Sequence, residues 1–279
     1  MLSYPEAVER LLELGHELHQ MPSHKFDLAH MRVFTEALGH PERAVPSVLI
    51  AGTNGKGSTA ATLASILHAA GYSVGLYTSP HLIRINERIR INGEPIDDEL
   101  FAAAYAHVHV VAERLVAEGK LPWHPSFFET MTAIAFECFM RLKLDISVLE
   151  VGMGGRLDAT NIVEPLISVI TDVDLDHQKF LGNTIAEIAA EKAGIMRAGK
   201  PTITLPQHPQ ANDVLGRKMI EVNALPVNAA RNVPPVSPGS QALFDTSEPG
   251  RTRYMLNVLG EEILIDTPLV GRHQLRNLA

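Results

Sequence analysis

Cysteine is all but missing: Cys138 is alone in 279 residues, which excludes an internal disulfide framework. It lies in the apolar run FFETMTAIAFECF, where it reads as core packing rather than chemistry. Positive charge is also short. Lys and Arg number 24 against 32 Asp and Glu, for a net charge of −8 and a pI near 5.9, with no basic stripe, so nucleic acid is not expected as a main partner. No uninterrupted apolar run reaches about 18 residues, and MLSYPEAVERLLELGHEL has acidic residues at helical spacing in place of a basic-then-apolar leader. No membrane partner is expected, and the cytoplasm is the simplest compartment. There is no internal repeat and no low-complexity tract.

What is present is concentrated in SVLIAGTNGKGSTAATLASIL, residues 47 to 67. Ser47 to Ala51 are suited to a buried parallel strand, and Leu63, Ile66 and Leu67 give a helical stripe that stops at Gly71. Between them Gly52, Gly55 and Gly57 let backbone N–H groups converge on an anion at a helix N-terminus, and Lys56 adds a full positive charge. The general phosphate-loop pattern G-x-x-x-x-G-K-[ST] fails by its letters: its first glycine would fall at Ile50, and Gly57 displaces the hydroxyl to Ser58. The strand-turn-helix context still points to a nucleotide phosphate.

At 46% apolar and 20% charged the chain can bury one sizeable core. Amphipathic helices are expected at about 5 to 19 and 28 to 38. Strands follow at SVLIAG, YSVGLYTS, DISVLEVG, LISVITDVD and KPTITL, alternating with helices at about 58 to 70, 97 to 118, 127 to 143 and 184 to 196. The expected fold is α/β, a mostly parallel sheet flanked by helices. RIRINGEPI reads as an excursion turning at Asn92-Gly93. The division expected is a parallel core over 1–206, then a helix at 209 to 224 and a small antiparallel β portion within 207–270, with VPPVSPGSQ as a loop and turns at Pro249-Gly250 and Gly260. GRHQLRNLA, 271–279, reads as the opening of another helix, so a domain boundary is expected there.

Ligands of open α/β sheets bind at the carboxyl ends of strands. Four such ends carry chemistry: the phosphate loop; Thr78-Ser79-Pro80-His81; Glu150 with VGMGGRLDATN; and TDVDLDHQ, ending in Asp176-His177. Ser79 also suits a plain turn or cap. A strand-end carboxylate such as Glu150 must be solvated, paired or metal-bound, and with Ser79 it could supply hard oxygens to a magnesium ion. His177 stands evenly between a ligand and a hydrogen bonder, because imidazole more usually suits zinc, copper, iron or nickel. Lys192 shares a helical stripe with Ile185, Ile188, Ala189 and Met196, so it either snorkels outward or is held at low dielectric, where a neutral amine could take up carbon dioxide. Ser126 and Glu129 form an S-x-x-E capping box, which accounts for both without a substrate.

In order along the chain, GTNGKGS, TSPHLIRINERIRING, FFETMTAIAF, LEVGMGGRLDATN, DHQKFLGNTIAEIAAEKAGI and GRHQLRNLA resemble the folylpolyglutamate synthase/dihydrofolate synthase family of the Mur ligase superfamily, from about residue 20 onward. The resemblance implies an N-terminal Mur-ligase-like ATP-binding domain over 1–279, and an ATP-dependent ligase that joins L-glutamate to folate or dihydropteroate through an acyl phosphate. It implies that Thr53, Asn54, Gly55, Lys56, Gly57, Ser58 and Asn277 hold ATP. Ser79, Glu150, His177 and Lys192, the last carbamylated, would serve the Mg2+ site. Asp27, Leu28, Phe128, Glu129, Gly155 and Arg156 would face the pterin substrate, with Lys56, Glu150, His177 and Lys192 as the catalytic set. It implies a monomer, and a second, smaller domain after HQ-x-x-N, without which little turnover is expected. The rival readings are a ligase acting on a cell-wall nucleotide precursor and a non-catalytic nucleotide-binding module; the latter has no need of Glu150, His177 and Lys192 in one cavity.

Overall fold

The computed structural model describes residues 2–15, 27–233, 251–258 and 260–279. Two helices lead: α1 (Tyr4–Glu13), opened by a Ser3/Glu6 capping box, and α2 (Leu28–Ala37), opened by the Asp27 carboxylate accepting from the Ala29 amide at 2.7 Å. The expected first helix ran to residue 19, but its last four residues lie outside the described ones. So do VPPVSPGSQ beyond Val233 and the Pro249-Gly250 turn.

The alternation that follows is β1 (Ser47–Ala51), α3 (Lys56–Ala69), β2 (Val74–Tyr77), β3 (Ile89–Ile91), β4 (Glu94–Pro95), α4 (Asp98–Ala117), α5 (Phe127–Leu142), β5 (Ile146–Glu150), β6 (Ile167–Ile170), α6 (Gln178–Leu181), α7 (Ile185–Ala193), β7 (Pro201–Thr204), α8 (Pro209–Val222) and β8 (Leu225–Asn228). They build one eight-stranded sheet in the order β4-β3-β2-β5-β1-β6-β7-β8, parallel from β2 to β8 and antiparallel only through β3 and β4. Asn92 and Gly93 take positive φ in the β3–β4 turn, as that hairpin requires.

Both faces are covered, and the alternation of β1 shows how. Val48 and Ile50 point to a small cluster with Ala60 and Ala64 of α3, whereas Leu49 and Ala51 enter the main core with α1, α2, α4, α5, α7 and α8. By length and composition alone α4 could cross a membrane, yet Phe101, Tyr105, Val108, Val111 and Leu115 are buried in that core.

Near the C-terminus β9 (Thr252–Val258) and β10 (Glu261–Thr267) form a separate antiparallel hairpin turning at Gly260, and α9 (Gln274–Asn277) packs its Leu275 against Tyr254 and Leu256. Two elements escaped the sequence reading. β8 carries a proline, is exposed throughout and, among the described residues, pairs with β7 alone, so it shows no buried apolar run. α6 is a single turn. The boundary of α7 moves: Gly194 caps it, so Met196 is buried just beyond the helix rather than on its stripe.

Candidate functional site

β1 is flanked by β5 on one side and β6 on the other, while the chain itself runs from β1 out to β2 before returning. Such a reversal opens a crevice at the carboxyl ends of the central strands. The segment Gly52 to Ser58 lies there. Gly55 takes a left-handed φ of 84° at the N-cap of α3, and Lys56 is the first helical residue, its Nζ 3.2 Å from the Thr53 carbonyl. The loop is pinned from β6: the Thr53 amide donates to the Asp172 carbonyl at 2.6 Å and the Asn54 amide to the same oxygen at 3.3 Å. The Thr53 hydroxyl donates to the Asp174 carbonyl at 3.0 Å.

Glycine suits the positive φ of Gly55, and both Gly55 and Gly57 lie close to polar side chains. A Cβ on Gly55 would stand 2.2 Å from the Asn277 carboxamide oxygen, and one on Gly57 would stand 3.3 Å from Glu150 Oε2. Asn277 of α9 therefore lies on the loop, fixed by its own carbonyl accepting from the Thr59 hydroxyl at 3.0 Å and by its Nδ2 donating to Gln274 at 2.8 Å. Ser58 follows in the first turn of α3, half-buried.

Glu150, at the end of β5, is buried and accepts the Ser79 amide at 3.1 Å. Burial pushes its carboxyl up to about 7 against the opposing pull of Lys56 and the Ser79 amide, with Asp158 pushing further the same way and Arg88 against. Lys192, in the last turn of α7, is also buried and donates to the Gly52 carbonyl at 2.8 Å. Burial, reinforced by the Lys56 charge, brings its amine down to about 7. Both groups resist their charged forms because burial dominates, and both feel the charge of Lys56. The Glu150 carboxylate and the hydroxyl of Ser79, neighbours through the Ser79 amide, are hard-oxygen donors of the kind a magnesium ion takes, whereas the His177 imidazole more usually suits zinc, copper, iron or nickel. His177 has a positive φ of 45° and its Nε2 stands 3.5 Å from Asp176 Oδ2.

The residues assigned to the substrate side fall into two groups. Gly155 and Arg156 lie against α7: a Cβ on Gly155 would be 2.7 Å from the Glu191 carbonyl, and Arg156 pairs with the Glu191 carboxylate at 2.8 Å. Phe128 lies over the backbone of Gly152, where a Cβ would meet its ring at 2.4 Å. Glu129 closes the capping box with Ser126 and also pairs with His30 of α2 at 3.1 Å, which brings Asp27 and Leu28 into the same neighbourhood. The His30 ring faces two acceptors, Glu129 and the Trp123 carbonyl at 3.1 Å.

Four further residues were not singled out from the sequence. Asp158 is buried, accepts from the Thr160 hydroxyl and amide and the Met153 amide, and acts on both Glu150 and Lys192. Asp172 and Arg276 form a forked pair at 2.6 Å that ties α9 to the strand end holding the loop. Arg88, buried with its guanidinium over Phe127 at 5.2 Å, acts on Glu150. The acidic run TDVDLDH held the signal for Asp172; Arg88 and Arg276 carry none that distinguishes them from surface arginines.

No family model matches the chain. It is 42% identical over 261 residues to a dihydrofolate synthase/folylpolyglutamate synthase of Bacillus subtilis, covering 90% of this chain and 57% of that protein. It is 37% identical over 274 residues to a folylpolyglutamate synthase of Lacticaseibacillus casei, covering 94% and 60%. Among solved structures, an FPGS–AMPPCP–folate complex superposes with a TM-score of 0.87 at 35% identity, over 99% of this chain and 64% of that one. The chain thus spans about three fifths of the length of the curated relatives it matches.

Proposed function

The chain belongs to the folylpolyglutamate synthase/dihydrofolate synthase family, and from that premise we propose that it forms the nucleotide-binding and carboxylate-activating part of a cytoplasmic, monomeric ligase that joins L-glutamate to folate or dihydropteroate at the expense of ATP. The observation that carries the reading is the meeting of Lys56, Glu150 and Lys192 around Gly52 to Gly57. A nucleotide-binding module without chemistry needs the loop and its lysine; it has no use for a buried carboxyl and a buried amine that both cost stability.

A carboxylate is a poor electrophile until one of its oxygens becomes a good leaving group. In the proposed reaction a substrate carboxylate oxygen attacks the γ-phosphorus of ATP and ADP departs, leaving an acyl phosphate. The glutamate amine then attacks the acyl carbon, phosphate leaves with the bonding pair, and the nitrogen loses a proton. Phosphoryl transfer is mostly positioning and charge neutralisation, which the loop amides and Lys56 supply. Ser79, Glu150 and His177 would hold magnesium, which when bound neutralises charge on the phosphate oxygens. Lys192 has its amine brought down to about 7, so a large neutral fraction is present at neutral pH; carbon dioxide can add to it as a carbamate, giving the pocket another anionic oxygen. Asn277 would reach the nucleotide from α9. Phe128, Arg156, Gly155, Asp27 and Leu28 would face the pterin, while Glu129 is committed to Ser126 and His30 and would act there by positioning Phe128.

The test is phosphate release with MgATP and glutamate, comparing dihydropteroate and tetrahydrofolate with a uridine-diphosphate cell-wall precursor. Slow release that depends on a pterin substrate, and that is lost in Lys56→Ala, is the expected result. Release that depends on the cell-wall precursor instead would overturn the reading.

A further inference from the structure

Away from the nucleotide loop, one side of α4 carries an arrangement that the ligase reading leaves unused. His109 and Glu113 are four residues apart, so they stand one above the other on the helix face, and His124 of the connection to α5 reaches the same spot. One ring nitrogen of each histidine and a Glu113 carboxylate oxygen lie within 4.8 Å of one another. The two imidazoles are tilted rings with centroids 5.7 Å apart, and Tyr105, one turn earlier, stacks on His109 at 5.4 Å.

The hydrogen bonds decide the tautomer of His124. Its Nδ1 faces the Pro125 carbonyl at 2.9 Å, and a carbonyl can only accept, so Nδ1 carries a proton and Nε2 is the nitrogen left for a ligand. That Nε2 is buried without a hydrogen bond, and the nearest charge to it is Glu113 Oε1 at 3.4 Å. His109 Nδ1 is likewise buried and unbonded. Two buried imidazole nitrogens without hydrogen bonds, converging with a carboxylate, leave a polar deficit that one cation would remove. A histidine ligand whose other nitrogen donates to a backbone carbonyl is also the usual way a protein orients imidazole toward a metal.

We propose that His109, Glu113 and His124 form a three-ligand site for a divalent transition ion. Zinc is the best chemical match, since two imidazoles and one carboxylate suit it better than magnesium or calcium, and its fourth position would be left to water. Glu113 is mostly exposed, so the ion has a path in from solvent. Arg10 of α1 acts on His109 in the opposite sense, as a cation nearby, and an anionic Glu113 offsets it. An ion here would staple α4 to the connection at His124. The neighbouring residue Trp123 stacks on His30, the partner of Glu129 at the start of α5, so the staple would stiffen the entry to α5.

The experiment strips the protein with a chelator and titrates zinc alone against a chromophoric competitor, with cobalt absorption as a second readout. One tight equivalent with tetrahedral cobalt bands is expected. Glu113→Gln should weaken it ~10-fold and His124→Gln ~100-fold, both with unchanged melting in chelator. Glu113 is a surface side chain, so its variant separates lost ligation from lost folding. Tight zinc that survives both substitutions would overturn the proposal, as would tight zinc that is lost instead in His177→Gln, or no tight equivalent at all.

Discussion

Glu150 and Lys192 are the residues at which this fold gives up stability. The Glu150 carboxyl rises from an ordinary 4.5 to about 7, so between those values the folded protein keeps a proton that the unfolded chain releases, and its contribution falls as pH rises. The Lys192 amine drops from 10.5 to about 7, so between those values the unfolded chain holds the extra proton and stability recovers as pH rises. Together they place a local minimum near neutrality. Glu150→Gln keeps an acceptor for the Ser79 amide and removes the penalty. It should therefore melt higher than the parent at pH 7 to 8, by on the order of 1–3 kcal/mol in denaturant titrations without nucleotide, while losing turnover. A variant that is less stable than the parent across that range would show that Glu150 is adequately paired in the folded state.

At the level of elements, the junction of α2 and α5 is set by one ion pair. Burial alone would lower the His30 imidazole, but the hydrogen bond and charge of Glu129 hold it above its usual value. Burial would raise the Glu129 carboxyl, yet His30 and Ser126 keep it below. The His30 contribution is complete below pH 6.5 and is lost as pH climbs through its raised value. That of Glu129 is present above pH 4.5 and is lost as pH falls through its lowered one. The helix junction is thus tightest near pH 5 to 6.5. His30→Gln should flatten the fall in stability between pH 6 and 8 that this pair contributes, by about 1 kcal/mol, read from melting curves across pH. An unchanged slope would mean that the imidazole is neutral throughout. Elements of this kind divide by legibility. The Ser126/Glu129 cap was readable because a capping box is local, and the alternation of five apolar strands was readable because burial on both faces leaves continuous hydrophobic runs. The His30–Glu129 pair joins residues 99 apart, and nothing local announces it. Edge strand β8 was invisible for the opposite reason: one-sided pairing in solvent imposes almost no pattern.

Over the whole molecule, the hairpin and α9 form a satellite with its own small core, held to the sheet by the Arg276–Asp172 fork and by Asn277 on the loop. Arg276 also donates to the Pro206 carbonyl at 3.1 Å. Arg276→Ala should cost little global stability, at most about 1 kcal/mol, because the pair is about one third exposed. It should instead weaken binding of a non-hydrolysable ATP analogue ~10-fold and speed amide exchange in 252–278, since it frees the side of Asp172 that faces α9. Nucleotide affinity equal to the parent would mean that the satellite does not brace the loop. The loop and the strand-end acids were legible as local motifs, whereas this brace brings together residues 104 apart that share no pattern.

The narrow gap between Gly57 and Glu150 has a practical consequence for anyone diversifying this protein. A methyl group at position 57 would stand 3.3 Å from the carboxylate, close enough that Glu150 must shift by a few tenths of an ångström to admit it. Varying 57 and 150 as a linked pair would let the carboxylate give way to a bulkier loop residue, and each such double change also redraws the charge lining the loop.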